Sequence, residues 1–98
     1  MDLLIDDVRD IECDIIARNY ESAIKILSNF KIGTLYLDHD LGEQRTGYDI
    51  TKWMIKNQIF PDRIFIVSSN PVGRKNIEET LQHNGYKYSE HCLVFSVG

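Results

Sequence analysis

Three short polar clusters in this sequence of 98 residues carry the side chains best suited to chemistry. Asp6 and Asp7 follow the first apolar run, Asp38-His39-Asp40 follows a later one, and Ser68-Ser69-Asn70 follows another. Carboxylates that meet at one place repel one another unless a cation joins them, and hard oxygen ligands suit Mg²⁺ or Mn²⁺. We therefore predict that Asp6, Asp7 and Asp38 hold a divalent metal. Each acidic pair taken alone also fits the capping of a turn.

Phosphate is the ligand that the serine cluster favours. Asn70-Pro71 is a strong helix start, with an N-cap side chain before a proline at the first helical position. The first N–H groups of such a helix attract anions, and the hydroxyls of Ser68 and Ser69 add hydrogen-bond donors. We predict phosphate contacts from Ser68, Ser69 and Asn70, although Asn70 alone suffices if the motif only caps the helix. Arg9 either pairs with the phosphate or forms a salt bridge with a neighbouring aspartate.

Proton transfer is the chemistry that His39 would supply. A histidine between two aspartates at a strand end can act as a general acid or base near neutral pH, with Asp40 orienting the ring. Strand alternation allows the opposite outcome, in which the ring turns away from the site. Asp38 is either a metal ligand only or also a nucleophile that forms a transient acyl phosphate. The predicted catalytic residues are therefore Asp38, His39 and Asp40.

The elements that must position these clusters alternate between apolar runs and amphipathic stretches, which is typical of a parallel sheet covered by helices. In such a sheet ligands bind beyond the carboxyl ends of the strands, where all three clusters lie. The chain between the first two strands, around Val8–Glu12, is too short for a crossover helix. The predicted strands are Leu3–Ile5, Asp14–Arg18, Thr34–Leu37, Ile64–Val67 and, within the last segment, Cys92–Val97.

Length and composition limit the remaining choices. The chain is predicted to be a single domain, residues 1–98, and its net charge of -4 disfavours extended binding to DNA. Asp2, Asp6 and Asp7 interrupt the first apolar run, so no secretory signal is expected, and no stretch has the length of a membrane span. Cys13 and Cys92 lack zinc-ligand spacing and are expected to be reduced thiols. These features predict a cytoplasmic protein that does not bind membranes.

The arrangement of the clusters resembles the receiver domain of response regulators. In receivers the acidic pair after strand one, here Asp6-Asp7, and the aspartate after strand three, here Asp38, bind magnesium. That third aspartate also accepts the phosphoryl group, which a serine or threonine at the position of Ser68 contacts. The resemblance implies an α/β fold of the receiver or flavodoxin-like type, a three-layer sandwich with helices on both faces of a mainly parallel sheet in the order 2-1-3-4-5. The first crossover helix and the final helix are expected to be missing.

A narrower resemblance comes from three motifs taken together, Asp-Asp-Val-Arg, Leu-Asp-His-Asp-Leu-Gly and Ser-Ser-Asn-Pro-Val-Gly. They resemble the cyclic-phosphate processing receiver domains of bacteria and their phages, a family predicted to act on cyclic phosphates, for example in the repair of damaged RNA ends. One departure from ordinary receivers is the absence of a Lys-Pro after the fifth strand, where only Lys87 is a candidate replacement. Ordinary receivers also do not usually place a histidine beside the phosphoacceptor.

The resulting expectation is a divalent-metal-dependent phosphoesterase that binds, and hydrolyses, a cyclic phosphate or phosphodiester. Its partner would be a phosphate-containing small molecule, a nucleotide or an RNA end, and no protein partner is indicated. Two alternatives remain open at this stage. One is a signalling receiver that is phosphorylated on Asp38, and the other is a binding module that sequesters a nucleotide without turnover.

Overall fold

Strands and helices alternate along most of the chain, as the sequence pattern predicts. The structure is a computed structural model and describes residues 1–96. The strands are β1 (Asp2–Ile5), β2 (Ile15–Ala17), β3 (Thr34–Leu37), β4 (Arg63–Ile66), β5 (Tyr86–Ser89) and β6 (Cys92–Phe95). The helices are α1 (Tyr20–Asn29), α2 (Gly47–Lys56) and α3 (Pro71–Gln82).

The strands form one mixed sheet in the order β2-β1-β3-β4-β6-β5. The first four positions match the predicted order, and the strands in them run parallel. The strand predicted at Cys92–Val97 occupies the fifth position as β6, although Val97 lies outside the described residues. It runs antiparallel to β4, because β5 and β6 form a hairpin with β5 on the outer edge. The hairpin is an addition to the predicted topology.

The connection between β1 and β2 contains no helix, as predicted, and residues 6–14 form a loop. In the part of the chain that the structure describes, α1 contacts α2 and α2 contacts α3, so the three helices form one layer. This differs from the expected helices on both faces. Crossover connections between parallel strands are right-handed. Across the sheet, the connection from β1 to β2 runs in one direction, and the connections from β2 to β3 and from β3 to β4 run in the opposite direction. A helix in the first connection would therefore have covered the second face.

The main core lies between this helix layer and one face of the sheet. Leu3 and Ile5 of β1 belong to it, together with alternate residues of β3 and β4. Leu4, between them, points to the other face, where Tyr36 and Phe65 stack with ring centroids 5.1 Å apart. The alternation of side chains along each strand thus decides which residues reach the helices. The fully buried core side chains include Leu3, Ile5, Leu35, Leu37, Ile50, Met54, Ile64, Ile77, Leu81 and Leu93.

Each helix begins with a side chain that caps its first turn. Asn19 accepts a hydrogen bond from Ser22 N, Asn70 accepts one from Gly73 N, and Thr46 forms a reciprocal capping box with Asp49. The helices are 10, 10 and 12 residues long, against about 20 for a bilayer span. Within residues 1–96, none of them has the length and apolarity that crossing a membrane requires.

Candidate metal and phosphate site

Three carboxylates meet at the carboxyl end of the sheet. Strands β1 and β3 are neighbours, so the residues that follow them, Asp6, Asp7 and Asp38, leave the sheet side by side. One carboxylate oxygen from each of these residues lies within 4.8 Å of the other two. The structure therefore brings together the three residues predicted to bind metal. Their oxygens form a compact acceptor set of the kind that Mg²⁺ or Mn²⁺ requires.

Asp6 is the most rigidly held member of this set. Its side chain is buried, and Oδ1 accepts hydrogen bonds from the backbone N–H groups of Val8 and Arg9, at 3.0 and 2.9 Å. Its Oδ2 accepts a hydrogen bond from Nη1 of Arg9 at 2.8 Å. Each carboxylate oxygen has two lone pairs, so these bonds fix the orientation of Asp6 and leave acceptor capacity for a cation.

Arg9 links the first polar cluster to the end of β4, just before the serine cluster. Besides Asp6, its Nη1 donates to the backbone carbonyl of Val67 at 2.7 Å. The salt bridge to a neighbouring aspartate, one of the two roles considered for Arg9, is therefore present. A contact between Arg9 and phosphate stays a prediction, and about two-fifths of the Arg9 side chain is exposed.

The surroundings of Asp38 disfavour the ionised form of its carboxylate. Partial burial, followed by the nearby carboxylate of Asp6, raises the pKa of Asp38 above its ordinary value of 3.8. Hydrogen bonds from the backbone N–H of His39, at 2.8 Å, and from the hydroxyl of Ser68 oppose this effect without cancelling it. A bound cation would favour the ionised form of Asp38 and so oppose this effect. This electrostatic pattern fits a metal site.

Two glycines leave space for this arrangement. Gly42 has φ +67°, and a Cβ built there would lie 2.8 Å from Oδ2 of Asp7. A Cβ on Gly47 would collide with the backbone carbonyl of Asp38 and lie 3.1 Å from the Cα of His39. The loop between β3 and α2 can therefore close over the carboxylates only because both positions lack a side chain.

The predicted phosphate-binding residues differ in what they contact. Ser68 is almost fully buried, and its Oγ lies beside Asp38 and accepts a hydrogen bond from Asn70 N at 3.0 Å. The side-chain oxygen of Asn70 caps α3 through Gly73 N at 3.1 Å. Ser69 is exposed. The N-terminus of α3 thus begins next to the carboxylates, which is the geometry that the prediction of a phosphate site needs.

His39 lies beside the three carboxylates without joining them. Its Nδ1 is 3.1 Å from Oδ1 of Asp40, so the predicted orienting contact is present. The ring packs against the first turn of α3 at Gly73 and is 16 % exposed. Asp38 and His39 are consecutive in the chain and contact different neighbours, as strand alternation allows. The catalytic role of His39 stays a prediction.

Lys87 does not take the place of the receiver lysine. It lies on β5, three strands from β3, which corresponds to about 14 Å at the usual strand spacing. Lys87 is also paired with Val94, and Val94 with Arg63, the first residue of β4. The lysine therefore stands level with the end of β4 that is opposite to Ser68.

Arg18 is a supporting residue that the sequence reasoning missed. Its Nη1 donates to the backbone carbonyls of Asp6, at 3.3 Å, and Arg9, at 2.8 Å, and its Nη2 pairs with Asp10. These bonds tie the loop after β1 to the end of β2. An arginine directly after a predicted strand carries no signal of this role, because the carbonyls that it meets depend on the folded path of the loop.

Together, the fold and the acidic cluster define a receiver-like α/β domain, with its polar residues at the carboxyl end of a mainly parallel sheet. The family model of the cyclic-phosphate processing receiver domain matches residues 1–83. The chain therefore belongs to this family. The match extends from β1 through α3 and includes every residue predicted for the site. No match was found among curated proteins or among solved structures.

Proposed function

We propose that this domain is a divalent-metal-dependent phosphoesterase that binds and hydrolyses a cyclic phosphate or phosphodiester, such as the 2′,3′-cyclic phosphate of a nucleotide or an RNA end. The observation that carries the proposal is the approach of the carboxylates of Asp6, Asp7 and Asp38 to within 4.8 Å, next to the N-terminus of α3. Membership in a family described by cyclic-phosphate processing agrees with this substrate class.

The residues divide into three roles in this proposal. Asp6, Asp7 and Asp38 hold the metal, which polarises the phosphoryl oxygens when it is bound. Ser68 and the N–H of Val72 at the start of α3 bind the phosphate oxygens, since Pro71 has no N–H and that of Gly73 donates to Asn70. Ser69 and Arg9 lie on the exposed side. His39, oriented by Asp40, carries the proton.

Hydrolysis balances as the addition of one water molecule. The water oxygen forms a bond to phosphorus while one ester P–O bond of the ring breaks. The proton released by the water passes to His39, and a proton returns from His39 to the alkoxide that leaves. The product is a phosphomonoester with a free hydroxyl on the adjacent carbon.

The direct experiment incubates the protein with nucleoside 2′,3′-cyclic phosphates and with cyclic-ended RNA, with and without Mg²⁺ or Mn²⁺, and identifies products by chromatography. We expect a metal-dependent phosphomonoester product. In Asp38→Asn the rate falls by about 10²-fold or more, because metal polarisation contributes several kcal/mol. The matched control is Glu79→Gln, which removes an exposed carboxylate on α3, far along the helix from its N-terminus.

A sequestering module would give a different result in the same experiment. It would retain the ligand during incubation and return it intact after denaturation, with Asp38→Asn abolishing retention. Recovery of unchanged cyclic phosphate from a protein that binds it tightly would therefore replace hydrolysis by binding as the function of the site.

A further inference from the structure

A cavity beside the acidic cluster has no part in the binding of metal or phosphate described above. Its volume is about 470 Å³, within the usual range of ligand pockets. It lies between the first turns of α1 and the loop that joins β3 to α2. The lining residues are Tyr20, Glu21, Ile24, Lys25, Glu43 and Arg45.

The cavity opens at the same edge of the sheet as the carboxylates. Glu43 directly follows Gly42, where a built Cβ would lie 2.8 Å from Oδ2 of Asp7. Tyr20 begins α1 just after β2, the neighbour of β1. The acidic cluster and the cavity therefore border the same loop, the one that joins β3 to α2.

A flat cationic surface lines this cavity. The guanidinium of Arg45 lies over the ring of Tyr20, 4.5 Å from its centroid. This cation–π contact holds the guanidinium in place, and nucleobases stack on arginine planes as they do on aromatic rings. The stacked pair suits a planar heterocycle better than an aliphatic group.

The carboxylate of Glu43 provides hydrogen-bond acceptors at one side of the cavity. One of its oxygens, Oε2, accepts a hydrogen bond from Tyr20 N at 2.8 Å, which fixes the carboxylate at the start of α1. An ionised carboxylate accepts hydrogen bonds and donates none. Among the RNA bases, guanine presents two adjacent donors on one edge, N1–H and the N2 amino group, and these match the two oxygens of a carboxylate.

We propose that this cavity binds the guanine base of the phosphate ligand, with the base stacked on Arg45 and its N1–H and N2 amino edge directed to Glu43. The inference rests on the proposed function, because the phosphate of the same ligand occupies the metal site. It adds the base preference and the residues that read the base.

The test measures binding of guanosine, adenosine and uridine 3′-monophosphates in Mg²⁺ by calorimetry, since these ligands have no phosphodiester to hydrolyse. Inorganic phosphate is the ligand without a base, and guanosine and adenosine are the ligands without phosphate. We expect the guanine nucleotide to bind at least about tenfold more tightly than the other two, because their edges leave one acceptor unpaired. A short RNA ending in guanosine, compared with the mononucleotide, distinguishes an RNA end from a free nucleotide as the source of the base.

Two variants separate stacking from recognition of the edge. Glu43→Gln keeps an acceptor for Tyr20 N but replaces one acceptor oxygen by a donor, so the preference for guanine should fall to about threefold or less. Arg45→Ala should weaken all three nucleotides by about 5- to 100-fold, since base stacking is tolerant of sequence. Glu79→Gln is the matched control for Glu43→Gln, and melting temperatures confirm that each variant is folded.

The outcomes distinguish this inference from the proposed function. Equal binding of the three nucleotides, unchanged in Glu43→Gln but lost in Asp38→Asn, overturns the guanine site and leaves the metal-dependent phosphate site standing. If no phosphate compound binds in a manner that depends on Asp38, the proposed function fails. Binding of the nucleosides then tests the guanine site by itself. A preference for guanosine over adenosine that depends on Glu43 supports the guanine site, and the absence of a preference overturns it.

Discussion

The imidazole of His39 occupies the space that a side chain at position 73 would fill. A Cβ built on Gly73 would lie 2.6 Å from Nδ1 of His39. The loop after β3 and the first turn of α3 are therefore fitted to each other at these two residues. Because α3 also begins beside Ser68, this contact sets the position of the helix N-terminus relative to the carboxylates.

Substituting Gly73 tests this contact. In an otherwise wild-type chain, Gly73→Ala gains up to about 1 kcal/mol of helix propensity but incurs an overpacking cost of about 1–3 kcal/mol, so we expect lower stability. In a His39→Ala background the clash is absent, and the same substitution should stabilise the fold. Urea unfolding of the four proteins measures the coupling. Additive effects would show that the ring of His39 does not pack on residue 73.

The proton-transfer role of His39 makes a separate prediction. We expect His39→Ala to retain the fold and most of the affinity for Mg²⁺ while turnover falls by about 10²–10⁴-fold, the usual contribution of general acid–base catalysis. The control is His83→Ala, which removes an exposed histidine at the end of α3. Reduced melting temperature together with unchanged turnover per folded molecule would assign His39 a packing role only.

Asp38 should destabilise the protein when no metal is bound. Its raised pKa means that the native state holds the proton more tightly than the unfolded chain, so the ionised side chain costs stability above the native pKa. Asp38→Asn should therefore raise the melting temperature in a chelator at neutral pH.

In Mg²⁺ the melting temperature of the wild type should exceed that of Asp38→Asn. The reason is that the wild type gains about 2.7 kcal/mol of stability when the Mg²⁺ concentration is a hundredfold above its Kd. For a domain of this size, each kcal/mol of stability raises the melting temperature by roughly 4–8 °C. Asp62→Asn, in the loop before β4, serves as the control. The metal site would be misassigned if Mg²⁺ stabilised wild type and Asp38→Asn equally.

Phosphorylation by small donors should leave no lasting product. An antiparallel hairpin fills the last two positions of the sheet, and Lys87 stands at the wrong end and on the outer strand. We expect acetyl phosphate to give no long-lived adduct on Asp38 and no change in assembly. Intact mass and size-exclusion chromatography check both points. A stable adduct accompanied by a shift in oligomeric state would make signalling the leading function.

The capping box of α2 predicts a stability difference that depends on pH. Burial alone would raise the pKa of Asp49, but hydrogen bonds from the N–H and hydroxyl of Thr46, with the nearby Lys52, hold it below its ordinary value of 3.8. The ionised carboxylate therefore adds stability above pH 3.8, and this contribution is lost as the pH falls through the lower native pKa.

We expect Asp49→Asn to lower stability by about 0.3–1 kcal/mol at pH 7, through the loss of charge at the helix N-terminus. The difference from wild type should shrink well below pH 3.8. Urea unfolding at both pH values measures it, with Glu79→Gln as the exposed control. A difference that does not change with pH would exclude the charge of Asp49 as its cause.

Much of the secondary structure and the positions of the polar clusters could be predicted from short stretches of the sequence. The apolar runs indicate β1, β3 and β4, and acidic or hydroxyl residues follow each run in the sequence. Asn19 and Asn70 signal two helix starts, and the short segment after Asp7 rules out a crossover helix. These features depend on residues near one another in the chain, so each acidic cluster could be placed at the end of a strand before the fold was known.

The tertiary structure decided what depends on distant parts of the chain. The contact of Arg9 with Val67, the packing of His39 on Gly73 and the cavity at Tyr20 join residues that the sequence separates widely. Likewise, the antiparallel direction of β6 follows from its pairing with β4 through a hairpin, although its apolar pattern would suit either direction. Hydrogen bonds and packing between remote segments have no local sequence signal, because their partners are selected only when the chain folds.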